Sequence, residues 1–186
     1  MGTWVQAIID RETATPEQAR ELGAAMLAWL VDKRIVEDRQ CGADFRGNPC
    51  YPAGSAVGLV CRGSEHADRD NDYSPFSLRM YLVARRHFLH SSQARFTTLP
   101  CPECGADADA QSYLDAGFAW MLEDGPDALA CPSCGTARPL REWEDPESGF
   151  MMLGFEFEDW PTFSSEFVDE FSRRLGHRVT YFNGKR

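Results

Sequence analysis

The sequence predicts an α+β fold: helices packed on antiparallel β-structure, with a small cysteine-bearing insertion. Three observations predict it. An amphipathic stretch with a helix-start signal lies at 15–34. Near the C-terminus, an alternating segment at 149–160 runs into a second stretch with phenylalanines four residues apart. Between them the phrase CPECG at 101–105 returns as CPSCG at 131–135.

The chain has 186 residues, 43 % of them apolar and 12 % aromatic, enough to build a core without disulfides. The longest apolar run, LGAAMLAWLV at 22–31, has ten residues. That is about half of what a bilayer-spanning helix needs. The N-terminal residues lack a basic leader and a small-residue cleavage site, so no secretory signal is expected. The formal net charge is −10, which repels phosphate backbones and argues against nucleic acid as a partner. The densest basic stretches, ARRH at 84–87 and SRRLGHR at 172–178, are short and interrupted. Seven cysteines fall as a set of four (Cys101, Cys104, Cys131, Cys134) and a loose set of three (Cys41, Cys50, Cys61). A secreted disulfide scaffold would be shorter and more evenly paired, so we expect reduced thiols and a cytoplasmic location.

Taken in order, WVQAIID at 4–10 places Trp4 with Ile8 and Val5 with Ile9 at i,i+4 spacing, which predicts a short helix. In the next segment Thr15 is placed to cap a helix, Pro16 suits its first position, and Gln18 completes a capping-box spacing. Leu22, Ala25, Met26, Trp29 and Leu30 then share one face. RIVE at 34–37 reads as a short strand. Residues 41–77 are rich in Gly, Pro, Asn and charge and read as a long irregular segment. From 77 to 100, branched and aromatic residues predict two strands turned by SSQ at 91–93. In GFMMLGFEFEDW, Met151, Leu153, Phe155 and Phe157 fall on one side and Gly154, Glu156 and Glu158 on the other, the mark of a half-buried strand. Phe163, Phe167, Phe171 and Leu175 then repeat at i+4 on a helix that Gly176 is placed to stop, their stripe facing a core. HRVTYF at 177–182 is a last strand.

Each CPxCG holds two thiols three positions apart on one turn. Proline biases the turn, and glycine after the second cysteine permits positive φ, which lets backbone N–H groups point at the sulfurs. Two such turns supply four soft ligands, Cys101, Cys104, Cys131 and Cys134, enough to close a tetrahedron around Zn2+. The 26 residues between Cys104 and Cys131 are long enough for a hairpin or a helix. On these residues, 97–140 resembles zinc ribbons with paired knuckles. It is also similar to rubredoxins, whose paired cysteine turns carry iron; here GADADAQSYL follows without the early aromatic residues of that family. The rest of the chain resembles small uncharacterised bacterial proteins, some labelled as sugar ABC transporter ATPases. The sequence holds no GxxxxGK[ST], so P-loop chemistry is excluded. Four thiolates leave no open coordination position, which makes the metal structural.

Other constellations fail on their own terms. DRDND at 68–72 spaces three aspartates as a calcium loop does, but Tyr73 and Arg79 occupy the positions of the glycine and the final glutamate. A second metal site from Cys41, Cys50, Cys61 and His66 is disfavoured by their irregular separations, and the three cysteines are read instead as small buried reduced thiols. His87 and His90 lack a partner at matching spacing and are expected on a surface or hairpin. His177 follows Gly176, where a cation meets a helix C-terminus. Glu156, Glu158 and Asp159 are close in sequence, which alone makes no acid–base pair. There is no GxSxG.

The organisation expected is an N-terminal α+β part (1–96), a zinc-ribbon module (97–140) and a C-terminal strand–helix–strand (141–186). The function expected is a non-enzymatic protein-interaction or adaptor module whose acidity suits a basic protein partner. Two alternatives remain: an enzyme with its site in 41–77, and a rubredoxin-like electron carrier.

Overall fold

A computed structural model describes residues 3–62, 78–92, 97–123, 125–143 and 148–185. The DRDND segment and His66 lie outside the described residues, as does the end of SSQ. The elements run β1 (Trp4–Asp10), α1 (Pro16–Asp32), β2 (Gly42–Ala43), β3 (Pro49–Pro52), β4 (Arg79–Val83) and β5 (His87–His90). They continue as β6 (Thr98–Pro100), β7 (Asp107–Asp109), α2 (Ala110–Glu123), β8 (Ala128–Ala130) and β9 (Ala137–Pro139). The last are β10 (Ser148–Met151), β11 (Gly154–Glu158), α3 (Ser165–Leu175) and β12 (Val179–Lys185). The fold is α+β, with helices packed on antiparallel sheets. The chain forms two compact units, Met1–Arg85 with Met151–Arg186, and Arg86–Phe150.

The first unit is built on a six-stranded sheet ordered β12-β1-β11-β4-β3-β2. Its pairings are antiparallel, with Ile8 opposite Phe155 and Phe155 opposite Leu82. WVQAIID is therefore a strand and not the helix its i,i+4 spacing suggests. Six of its seven residues are buried, and a strand buried on both faces shows no alternation. RIVE makes only a single bridge, Val36 to Ala53. The expected hairpin over 77–100 is not formed: β4 joins the large sheet, β5 pairs with β10, and β6 pairs with β7. The alternating segment also breaks at Met152–Leu153, between β10 and β11. That break changes the phase. Leu153, Phe155 and Phe157 enter the core, whereas the Met151 sulfur lies over Gly154. Four of the five β11 residues are buried rather than half of them, with Glu156 only 2 % exposed between its sheet neighbours Ala7 and Tyr81.

Helices α1 and α3 pack on the face that carries Ile8, Met80, Phe155 and Phe157. Trp29 stacks on Phe167 at 6.2 Å, and Phe171 meets Phe155 edge-on at 4.9 Å. Phe163, Phe167, Phe171 and Leu175 are all buried, so the stripe is a core face as expected. α1 starts as its sequence predicts, with Thr15 accepting from the Gln18 N–H; α3 is capped by Ser164, which accepts from the Phe167 N–H. Gly176, at φ +78°, ends α3.

Two polar devices fix the connections. The buried Gln6 amide donates to the carbonyls of Trp160 and Pro161 and accepts from the Phe163 N–H and the Tyr181 hydroxyl. It thereby holds the turn between β11 and α3. Asp10, also buried, accepts from the Thr13 hydroxyl and the Glu12 N–H and bonds His177 Nδ1 at 2.9 Å. His177 is thus tied to the end of β1, a partner not expected of a residue read as a helix-end cation.

The second unit has its own small core. Phe88 on β5 stacks on Phe150 on β10 at 4.5 Å, with Tyr113 and Trp120 of α2 edge-on to Phe150. The Tyr113 hydroxyl pairs with the Ser148 hydroxyl at 2.8 Å. Gly117 lets the helix approach, since a Cβ there would lie 2.8 Å from the Phe88 ring.

Candidate metal centre

Two short hairpins carry the cysteines. β6 and β7 flank the first turn with Pro100 opposite Asp107; β8 and β9 flank the second with Ala130 opposite Ala137. The turns repeat each other bond for bond. The Gly105 N–H donates to the Cys101 carbonyl at 2.9 Å, and the Gly135 N–H to that of Cys131 at 2.9 Å. Cys101 N–H reaches the Ala106 carbonyl, and Cys131 N–H that of Thr136. Gly105 and Gly135 have φ of +72° and +74°, the conformation glycine adopts without a steric penalty. This geometry turns backbone N–H groups toward sulfur: Glu103 N–H to Cys101 and Ser133 N–H to Cys131, each at 3.4 Å.

The four Sγ atoms of Cys101, Cys104, Cys131 and Cys134 lie within 4.8 Å of one another. A tetrahedral zinc thiolate with bonds of about 2.3 Å has sulfur–sulfur edges of about 3.8 Å. Cys104 and Cys131 are 3.8 Å apart. Cys101 and Cys131 are buried; Cys104 and Cys134 are exposed. The cluster is thus able to hold a metal ion, closed on one side by the protein.

The thiols are electrostatically prepared for a cation. The Cys104 backbone N–H lowers the pKa of Cys101, and the Cys134 N–H does the same for Cys131. The Thr136 hydroxyl and N–H lower that of Cys134. At Cys104 the Ala106 N–H acts downward, but burial and the three neighbouring sulfurs push the thiol up to about 11. Nearby donors thus pull three of the four thiols toward the anion, while the fourth is pushed the other way by burial and its neighbouring sulfurs and would be relieved by a cation. Across the cluster, Arg138 of β9 faces Glu103 of the first turn at 3.6 Å and also pairs with Glu142. These surface pairs orient the turns more than they stabilise them.

The other sequence candidates do not join this site. Cys41 and Cys50 form a disulfide, which corrects their reading as reduced thiols. The cause is the register of the β2–β3 hairpin, which sets Gly42 opposite Cys50 and the two cysteine Cα atoms 5.3 Å apart. Cys61 is a buried free thiol that donates to the Val57 carbonyl, and burial pushes it up to about 11. His87 is buried and His90 half-buried on β5, which pairs with the distant β10, so neither takes the surface or hairpin placement expected. Glu156 lies near enough to Arg46 to favour that residue's charge, which burial and Arg85 disfavour. Glu158 instead accepts from the Tyr81 hydroxyl at 3.1 Å. Sequence reasoning missed Thr136 and Arg138; the only trace of either was its closeness to a cysteine.

No helix of the described residues is long and apolar enough to cross a membrane. A shallow groove of about 480 Å³, bounded by Trp29, Asp32, Lys33, Glu170, Arg173 and Arg174, lies where α1 and α3 end. The Lys33–Glu170 ion pair occupies part of its wall. No protein-family model, curated protein or solved structure matches the chain.

Proposed function

We propose that the protein is a non-enzymatic interaction or adaptor module whose four-cysteine site holds one structural zinc ion. The observation that carries this reading is the convergence of four thiols at zinc-thiolate spacing. Four thiolates complete a tetrahedral shell and leave no position for a water or substrate, which argues against a catalytic metal. Within the second unit, 97–140 is the ribbon that depends on the ion. Zinc is preferred to iron because Ala106 and Ala108 follow the first turn where rubredoxins place aromatics. The net charge of −10 suits a basic protein partner and opposes nucleic acid.

The cytoplasm is the compartment we propose, since four free thiols at the metal site need reducing conditions. The Cys41–Cys50 bond is the feature that opposes it, and a thiol count on protein taken directly from cells decides between them. The enzyme alternative gains little from the described part of 41–77. Cys41 and Cys50 are bonded to each other, and Asp44 accepts from Arg46 and Asn48 in the hairpin turn.

Elemental analysis of protein prepared without added metal tests the proposal. One zinc per chain, colourless, supports it. Stoichiometric iron with a red colour and a reversible redox wave would replace it with electron transfer.

A further inference from the structure

The two units differ in charge. Residues 86–150 carry 11 acidic and four basic side chains, a net of −7 within a chain total of −10. Helix α2 lies in this unit and is itself without a basic residue. It buries Ala110, Tyr113, Gly117 and Trp120 on one side. Along its other flank, Leu114, Phe118 and Leu122 succeed one another at i+4 steps, which places them in one row. Leu114 is half-buried, Phe118 is 42 % exposed and Leu122 is 62 % exposed. Beside the row, Gln111 donates to the Asp115 carboxylate at 2.7 Å, on the exposed surface. Phe118 and Leu122 thus turn neighbouring apolar side chains to solvent beside Asp115, in a unit of net negative charge.

We propose that this face of α2 docks a basic amphipathic helix of a partner protein. The partner's apolar residues would cover Phe118 and Leu122, and its lysines or arginines would meet Asp115 and be drawn by the unit's net negative charge. Helix-against-helix docking uses the same i,i+4 anchors that the row presents. Charge selects the occupant. A second copy would set one −7 unit against another, and nucleic acid or an anionic membrane would be repelled in the same way. This inference rests on the reading of the protein as an interaction module and names the kind of partner. The patch is small, so its affinity depends on two anchors and on charge.

The test uses the zinc-loaded full chain and two synthetic peptides of about 14 residues, one of Leu and Lys in amphipathic order and one of Ser and Lys with equal charge. Titration by fluorescence anisotropy should show the Leu/Lys peptide binding at least about tenfold tighter than the Ser/Lys peptide, and weakening as salt rises. Leu122→Ser and Phe118→Ser should each lower that affinity on the order of tenfold. Leu122→Ser is the cleaner variant, because Phe118 also meets Phe88 edge-on at 5.4 Å. Equal binding of the two peptides, or affinities untouched by Leu122→Ser, overturns the proposal. So does a dimer that Leu122→Ser dissolves, which would give the face to a second copy. Metal content of each sample is measured separately: a metal-free protein that still binds through Leu122 keeps this inference and sinks the zinc reading.

Discussion

The two units are held together by different means. In the first, six strands and two helices close over Phe155, Phe157, Phe163, Phe171, Ile8 and Leu30, each 1 % exposed or less. In the second, a handful of rings around Phe150 anchors α2, but the cysteine turns sit on hairpins of three-residue strands. Hairpins that short are not stable by themselves in water. Apolar burial is enough for the first unit; at the turns a metal would replace it as the source of order. Perturbations can therefore be sorted by which unit they damage.

The largest effect should come from the first core. Phe171→Ala removes a ring that packs on Trp29, Phe155 and Phe167, and should cost about 3–5 kcal/mol of unfolding free energy in urea. Its metal content should stay at that of the wild type. A loss of metal in this variant would mean that the units do not fail separately.

A smaller effect should follow Gln6→Ala, which strands the Trp160 and Pro161 carbonyls and the Phe163 N–H. We expect a cost of about 1–3 kcal/mol by the same measurement. Smaller again is Ser164→Ala, which loses only the cap of α3 and should cost about 1 kcal/mol. Both should leave the cysteine unit untouched. A last experiment separates the cysteines chemically and costs no stability. Protein denatured without reductant, in the presence of chelator, should react with maleimide at five thiols, the Cys41–Cys50 pair being closed. Seven reactive thiols would show that pair open in the purified protein.

The same contrast explains what the sequence showed plainly and what it hid. The four clustered cysteines were legible because local turn chemistry positions them: proline, glycine and a three-residue spacing need no tertiary information. The start of α1 was legible for the same reason, through Thr15 and Pro16, whereas the Ser164 cap of α3 was overlooked. β1 was not legible, because burial on both faces removes the alternation of a strand and leaves i,i+4 apolar pairs that imitate a helix. The phase change at Met152–Leu153 depends on β10 leaving for β5, a pairing between residues about sixty apart in sequence. The Cys41–Cys50 bond depends on a two-residue strand, too short to leave a periodic signal. The exposed row on α2 was inside a segment read only as a hairpin or helix.

Removal of the metal tests the central claim most directly. Amide hydrogen exchange on the full chain, before and after chelation, reads each unit separately. Protection should collapse in β6–β7 and β8–β9, around 98–109 and 128–139. Protection in β1, β11 and α3 should persist within a few-fold, since their order comes from burial. Protection lost throughout the chain would contradict the account by making the metal the organiser of both cores. Cysteine hairpins that stay protected without metal would contradict it from the other side.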